Sequence, residues 1–214
     1  MNNRKVYISG EIVPEVDAKI SIFDSAVLLG DTVTESTRTF NFKPFKLDEH
    51  LERLYKSFKL TRIDPQMTIE EMKKVSLELL EINKDNYKAN EDCWLVHNIS
   101  RGHSITGGNP ALQVSKPTVM IYTQPMNLVL WAPFYTKGCH AVTPPTRMVP
   151  SQSLDARIKN RSRLFYTLAE IEAKLVDPDA QSVILDIHGN VAENKGGNIS
   201  VSYTHLRAHE TVVH

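Results

Sequence analysis

The step Asp64-Pro65, followed closely by Thr68-Ile69-Glu70-Glu71, constrains this chain more than any other feature. A proline pushes the residue before it out of the helical region, and Thr-x-x-Glu is the form in which two side chains cap each other's backbone at a helix start. Residues 47–82 are therefore two helices. The first carries Leu47, Leu51, Leu54, Tyr55 and Phe58 at helical spacing, with Asp48 as its candidate cap. The second carries the apolar stripe Ile69, Met72, Val75, Leu79 and Ile82. Strand-length runs flank the pair at 5–9, 12–13, 18–23 and 32–40 on one side. After a polar loop over 83–91, further runs at 93–99 and 118–123 stand on the other.

A second block follows. Residues 125–133 read as a packed crossover, and 139–143 as a strand ended by Pro144-Pro145. Leu164, Leu168, Ile171 and Leu175 mark a helix. Residues 182–187, the turn His188-Gly189-Asn190 and the run from Val191 form a hairpin with Glu193 on its return strand. Strands and helices mixed without strict alternation imply an α+β or mixed α/β architecture in two domains. The boundaries expected are 1–124, a connection over 125–135, and a second domain over 136–200.

With 25 basic and 25 acidic residues the formal charge is zero, which argues against a nucleic-acid partner. No apolar run approaches the ~20 residues of a membrane span, and no apolar signal core follows Arg4 and Lys5, so a cytoplasmic protein is expected. Cys93 and Cys139 lack metal spacing and read as reduced, partly buried thiols. Residues 201–214 fit nothing before them: three of the eight histidines fall there, and the stretch reads as a non-native, adapter-like tail. His205 and His209, four apart within it, are given no function.

Three residues are candidates for carrying chemistry, although none would mean anything taken alone. Lys159, in Ile158-Lys159-Asn160-Arg161-Ser162-Arg163, can form an imine if burial or a neighbouring cation lowers its pKa. On its own, such a lysine is a solvated surface residue. Glu193, in Val191-Ala192-Glu193-Asn194-Lys195-Gly196-Gly197-Asn198, can hold a pyridine nitrogen protonated, beside glycines that admit close approach of a ligand, although without context it reads as an exposed strand glutamate. Arg53, in Leu47-Asp48-Glu49-His50-Leu51-Glu52-Arg53-Leu54, has the planar fork suited to phosphate, although the helical wheel alone turns it toward water. His97, His103 and His188 stand apart and read as solvated or locally hydrogen-bonded.

With these motifs the chain resembles the class IV (fold type IV) aminotransferases, the family of branched-chain and D-amino-acid transaminases and aminodeoxychorismate lyase. The resemblance implies a two-domain fold type IV enzyme with an incomplete second domain, using pyridoxal 5'-phosphate. It makes Lys159 the catalytic and cofactor-holding residue, with Glu193, Arg53, Gly197 and Asn198 also binding the cofactor. Its substrates would be an amino acid, of branched-chain type, and a 2-oxo acid, and the complete protein a homodimer. Phe23-Asp24, the run 29–35 with Arg38, and Ile99-Ser100-Arg101-Gly102 resemble further family blocks, the last on a loop near the substrate side. The departures are Ser25-Ala26 in place of an Arg-Gly pair, bulky Asn194 and Lys195, and Leu164 where branched-chain enzymes place a tyrosine. The Arg-x-His trap of the D-amino-acid enzymes is also missing. Aminodeoxychorismate lyase and a non-catalytic truncated fragment are the alternatives, and the 214-residue chain, cut before the family's usual end, is expected to be inactive.

Overall fold

The computed structural model describes residues 3–88, 91–103 and 115–200. They divide into two units, one of residues 3–127 with 158–162 and the other of residues 128–157 with 163–200.

The first unit is built on one antiparallel sheet. Its elements are β1 (Lys5–Ile8), β2 (Glu11–Pro14), a short helix α1 (Ser25–Leu29), β3 (Thr32–Phe40), β4 (Lys43–Pro44), helices α2 (Leu47–Thr61) and α3 (Ile69–Asn83), β5 (Cys93–Ser100) and β6 (Thr118–Pro125). The strand order is β2-β1-β6-β5-β3-β4. Strand side chains alternate between faces, so Tyr7, Val33, Leu95, Ile99, Val119 and Ile121 fall on one face. Leu51, Leu54 and Phe58 of α2 and Met72 and Leu79 of α3 complete that core.

The capping box forms as expected: Thr68 Oγ1 accepts the Glu71 N–H at 3.2 Å, and Glu71 Oε2 accepts the Thr68 N–H at 2.7 Å. α2 begins differently. Its cap is Lys46, left-handed at φ 53° with no side-chain bond, and Asp48 lies two residues further on in the first turn, paired to Lys73 of α3 at 2.6 Å. The inward stripe of α3 also differs from the apolar pattern, running through Met72, Ser76, Leu79, Leu80 and Asn83 while Ile82 is exposed. The reason is polar. Asn83 accepts the Lys5 N–H at 2.7 Å and donates to the Lys5 carbonyl at 2.9 Å, which ties the helix end to β1.

Residues 18–23 form no strand, and Ile22 and Phe23 are exposed. The chain turns instead into α1, because Asp24 is drawn inward. Its carboxylate caps the Ala26 N–H at 2.8 Å and accepts from Ser100 Oγ at 2.6 Å and Thr118 Oγ1 at 2.5 Å.

The second unit contains α4 (Phe134–Lys137), β7 (Ala141–Val142), α5 (Leu164–Val176), β8 (Gln181–Leu185) and β9 (Val191–Asn194). β7 pairs parallel with β8, and β8 antiparallel with β9 through the expected hairpin. Asp186 closes that turn, accepting from the His188 and Asn190 N–H groups at 2.8 Å each. The strand expected over 139–143 is only two residues long, and Cys139 is exposed whereas Cys93 is buried. Val129 and Leu130 in the crossover are exposed as well. α5 lies where its leucines place it but turns the other way. Tyr166, Ala169 and Ala173 face inward, while Leu164 and Leu175 are 73 % and 83 % exposed. Tyr166 and Ala169 pack on Ile184 of β8, an arrangement in which the alanine's small side chain permits close approach.

One buried group makes the first unit sensitive to acid. His97 lies between Leu95 and Ile99 on the covered face, opposite Glu35 of β3. Ser76 Oγ donates to the Met72 carbonyl at 2.7 Å, so at 2.8 Å it accepts from the His97 Nε2–H. The ring is therefore the neutral Nε2–H tautomer. Burial pushes its pKa down to about 4, against the opposing pull of Glu35. The unfolded chain takes up a proton near pH 6.5 that the folded chain refuses, so stability falls as pH drops from there toward 4. Between pH 7 and 4.5 the loss is about 2 kcal/mol from this group. Urea unfolding of the protein and of His97→Gln at the two pH values checks this: the variant should lose clearly less, and equal losses would refute the assignment.

Candidate active site

β4 covers only the far end of β3, at Thr39 and Phe40. The outer edge of β3 at residues 32–34 is taken by the segment that carries Lys159. The Thr34 N–H donates to the Lys159 carbonyl at 2.9 Å, and the Arg161 N–H to the Thr32 carbonyl at 2.9 Å. Ile158 packs against the core, and the Lys159 N–H reaches Ser57 Oγ of α2 at 3.3 Å. Lys159 is thus half-buried, its backbone held between a strand edge and a helix.

Arg53 lies one turn before Ser57, on the same side of α2. It meets Glu35 of β3, whose side chain has 0 % exposure against 51 % for Arg53. Arg53 Nε donates to Glu35 Oε2 and Nη2 to Oε1, each at 2.7 Å. The Ser36 N–H, at 2.9 Å, and His50 Nδ1, at 3.1 Å, complete the carboxylate. A carboxylate only accepts, so His50 Nδ1 carries the proton, and its 3.4 Å approach to Arg53 Nη2 is a contact of two donors. Burial disfavours the charge on Glu35, but the bonds from His50 and Arg53 outweigh it and hold the pKa down to about 2.

In the second unit Glu193 stands on β9 opposite Ile184 and is half-buried. Tyr166 Oη of α5 donates to Glu193 Oε1, and the Arg163 guanidinium lies over the Tyr166 ring at 5.0 Å. Burial raises the Tyr166 pKa, and the bond to the carboxylate raises it further. Past Glu193 the chain turns tightly: the Asn194 N–H donates to the Gly197 carbonyl at 3.2 Å, and Asn194 Oδ1 accepts the Gly196 N–H at 2.9 Å. A Cβ at Gly196 or Gly197 would meet nothing within 4 Å, so the backbone there is open, and Asn198 beside it is exposed.

A class IV amino-transferase family model matches residues 32–205. The chain belongs to the class IV aminotransferases. It is 36 % identical over 197 residues to a Methanocaldococcus jannaschii protein named "Putative branched-chain-amino-acid aminotransferase", covering 92 % of this chain and 65 % of that one. A branched-chain amino acid aminotransferase from T.th. is 24 % identical in two solved structures. One, with pyridoxamine 5'-phosphate, has a TM-score of 0.78 and covers 91 % of this chain and 63 % of its own. The other, with N-(5'-phosphopyridoxyl)-L-glutamate, has a TM-score of 0.76 over 91 % and 62 %. These structures bear out the mixed α/β fold type IV architecture, and the chain spans less than two thirds of each of these relatives.

Within this class IV chain, Lys159 and Arg53 share the first unit, whereas Glu193, Gly197 and Asn198 belong to the second. Four side chains in contact with this set were given no site role from sequence: Glu35, His50, Ser57 and Tyr166. Glu35 left a readable signal. It occupies an inward position of β3 in line with Val33, Thr37 and Thr39, where a carboxylate needs a cationic partner.

The block Ser100-Arg101-Gly102 has a structural task. Arg101 Nε and Nη2 bind Asp31 at 2.9 and 3.3 Å, while Nη1 and Nη2 donate to the carbonyls of Arg62 and Thr61 at 2.8 and 3.0 Å. It therefore closes the carboxyl end of α2. Gly102 is required beside it: φ is +92°, and a Cβ would lie 1.9 Å from the Lys116 carbonyl oxygen. Replacing Arg101 by methionine keeps the apolar stem but removes these bonds, and should lower stability by about 2 kcal/mol. Chemical denaturation measures this directly, and a loss within experimental error would remove the arginine from that task.

Proposed function

We propose that this chain carries the cofactor-binding centre of a pyridoxal 5'-phosphate-dependent aminotransferase that moves an amino group between an amino acid, of branched-chain type, and a 2-oxo acid. The observation that supports it most is the pairing of an amine with a phosphate-binding fork in the first unit. Lys159 is held through Ser57, one helical turn from Arg53. The donor set fits the cofactor: the Nη1 end of Arg53 meets no acceptor among the described residues, and Glu193 adds a carboxylate in the second unit.

Bound pyridoxal phosphate supplies an aldehyde carbon that takes up the amino group and a ring that disperses the negative charge left on the substrate's α-carbon. The Lys159 amine would hold the cofactor and would move the proton at the substrate's α-carbon, as base and then as acid. Arg53 binds the phosphate, whose charge matches its planar fork. The Glu193 carboxylate keeps a proton on the ring nitrogen, with its orientation set by Tyr166. Gly197 and Asn198 would lie beside the cofactor, since the open turn leaves room for a ligand.

Branched-chain specificity rests on the named relatives, and the activity proposed is that of the whole protein, as a homodimer. No helix among the described residues is long and apolar enough to cross a membrane. The chain itself tests the centre. Pyridoxal phosphate followed by borohydride should place a pyridoxyl group on Lys159, read by mass spectrometry, and Lys159→Ala should lose it. Label spread evenly over exposed lysines in both proteins would defeat the proposal. For the whole protein, glutamate formation from 2-oxoglutarate should need leucine, isoleucine or valine, and D-alanine should not replace them.

A further inference from the structure

Arg53 and Glu35 are unequal partners: the carboxylate has no exposed surface, and the guanidinium is half exposed. Glu35 takes the Nε–Nη2 edge of the guanidinium and is itself fixed by Ser36 and His50. The arginine is thereby pinned along one edge, while among the described residues the Nη1 end has no acceptor. An arginine on a helix surface otherwise samples many rotamers, and binding an anion would have to freeze it.

We propose that Glu35 is a positioning residue for anion capture by Arg53: it grips the Nε–Nη2 edge and so aims the Nη1 end at the phosphate of the cofactor. This rests on Arg53 being the phosphate ligand. Two effects of Glu35 oppose each other. Its charge nearly cancels that of Arg53 and would repel a phosphate, whereas its grip pre-orients the donors. Removing the charge should tighten binding if net charge governs and weaken it if orientation governs. The geometry favours orientation, because the carboxylate is already met by N–H groups and lies on the Nε–Nη2 edge, leaving the Nη1 end without an acceptor among the described residues.

Glu35→Gln gives the test. A glutamine amide can accept on one atom only, and its NH2 would face a donor, so the two-bond grip is lost at nearly constant volume. The 214-residue chain and the variant are titrated with pyridoxal 5'-phosphate and, in parallel, with phosphate-free pyridoxal. Each mixture is then reduced with borohydride, and the label on Lys159 is quantified. The expected result is a rise of about tenfold in the half-saturating pyridoxal phosphate concentration, with pyridoxal changed by less than about twofold. In an Arg53→Lys background, the Glu35→Gln effect should disappear. Equal or tighter phosphate-dependent labelling in Glu35→Gln overturns the positioning role while leaving Lys159 as the cofactor residue. An effect that persists in Arg53→Lys also overturns it. No label on Lys159 in the parent chain overturns the wider reading and this role with it. Circular dichroism checks folding of each protein. Should Glu35→Gln not fold, Glu35→Asp takes its place: it keeps the charge but is too short for the two-bond grip, so the same shift is expected and an unchanged value is disproof.

Discussion

Glu35 has no exposed surface, so its charge has to be met inside the fold, and the N–H groups that meet it come from its own strand and from α2. A buried charge left without partners costs several kcal/mol, more than most single contacts contribute. That scale fixes how α2 is rotated and where it sits along β3. Once α2 is set, Ser57 is set one turn after Arg53, and Ser57 receives the backbone of Lys159. The position of the lysine thus depends on a carboxylate distant in sequence, through a helix whose apolar side alone would allow some sliding.

Two arginines of the first unit show how context decides use. Arg101 spends its fork on Asp31 and on the last carbonyls of α2, and its side chain is largely covered. Arg53 spends one edge on Glu35 and stays half exposed at the other. Both are bidentate on a carboxylate. The difference that matters for ligand chemistry is the unspent end, and only the placement of partners reveals it.

Local signals located most elements. The proline break and the capping box delimit α3, and the apolar runs of strand length at 93–99 and 118–123 became β5 and β6. Failures came where a polar group far away in sequence decided the outcome. Residues 18–23 alternate like a strand, but Asp24 is claimed by Ser100 and Thr118 and bends the chain into α1. The stripe of α3 is rolled by Asn83 reaching Lys5, and that of α5 by alanines packing where the leucines were expected. The candidate site was legible to a similar degree. Lys159, Arg53 and Glu193 stood out as residue types in a recognisable order, and the comparisons show the family without testing their roles. Their partners Glu35, Ser57 and Tyr166 could not be paired from sequence, because each contact joins elements that only the fold brings together.

The departures around Glu193 have a physical account of the same kind. Leu164 and Tyr166 are two residues apart on α5, which on a helix is a rotation of roughly 200°. Leu164 is exposed, and Tyr166 points inward to the carboxylate. A phenol at 166 therefore cannot stand in for one at 164, since the two positions face opposite sides. Its task is a different one, to fix Glu193 through a single bond to Oε1. Asn194 likewise does what a small residue could not: its side chain binds the Gly196 N–H and the Ser182 carbonyl, so the turn after the carboxylate is closed from within β9 and β8. Glu193 is consequently held on one side by α5 and on the other by its own turn, with no donor on Oε2 among the described residues. The carboxylate is thus fixed at one oxygen and open at the other, and of the residues that hold it only Asn194 is a departure from the family's usual pattern.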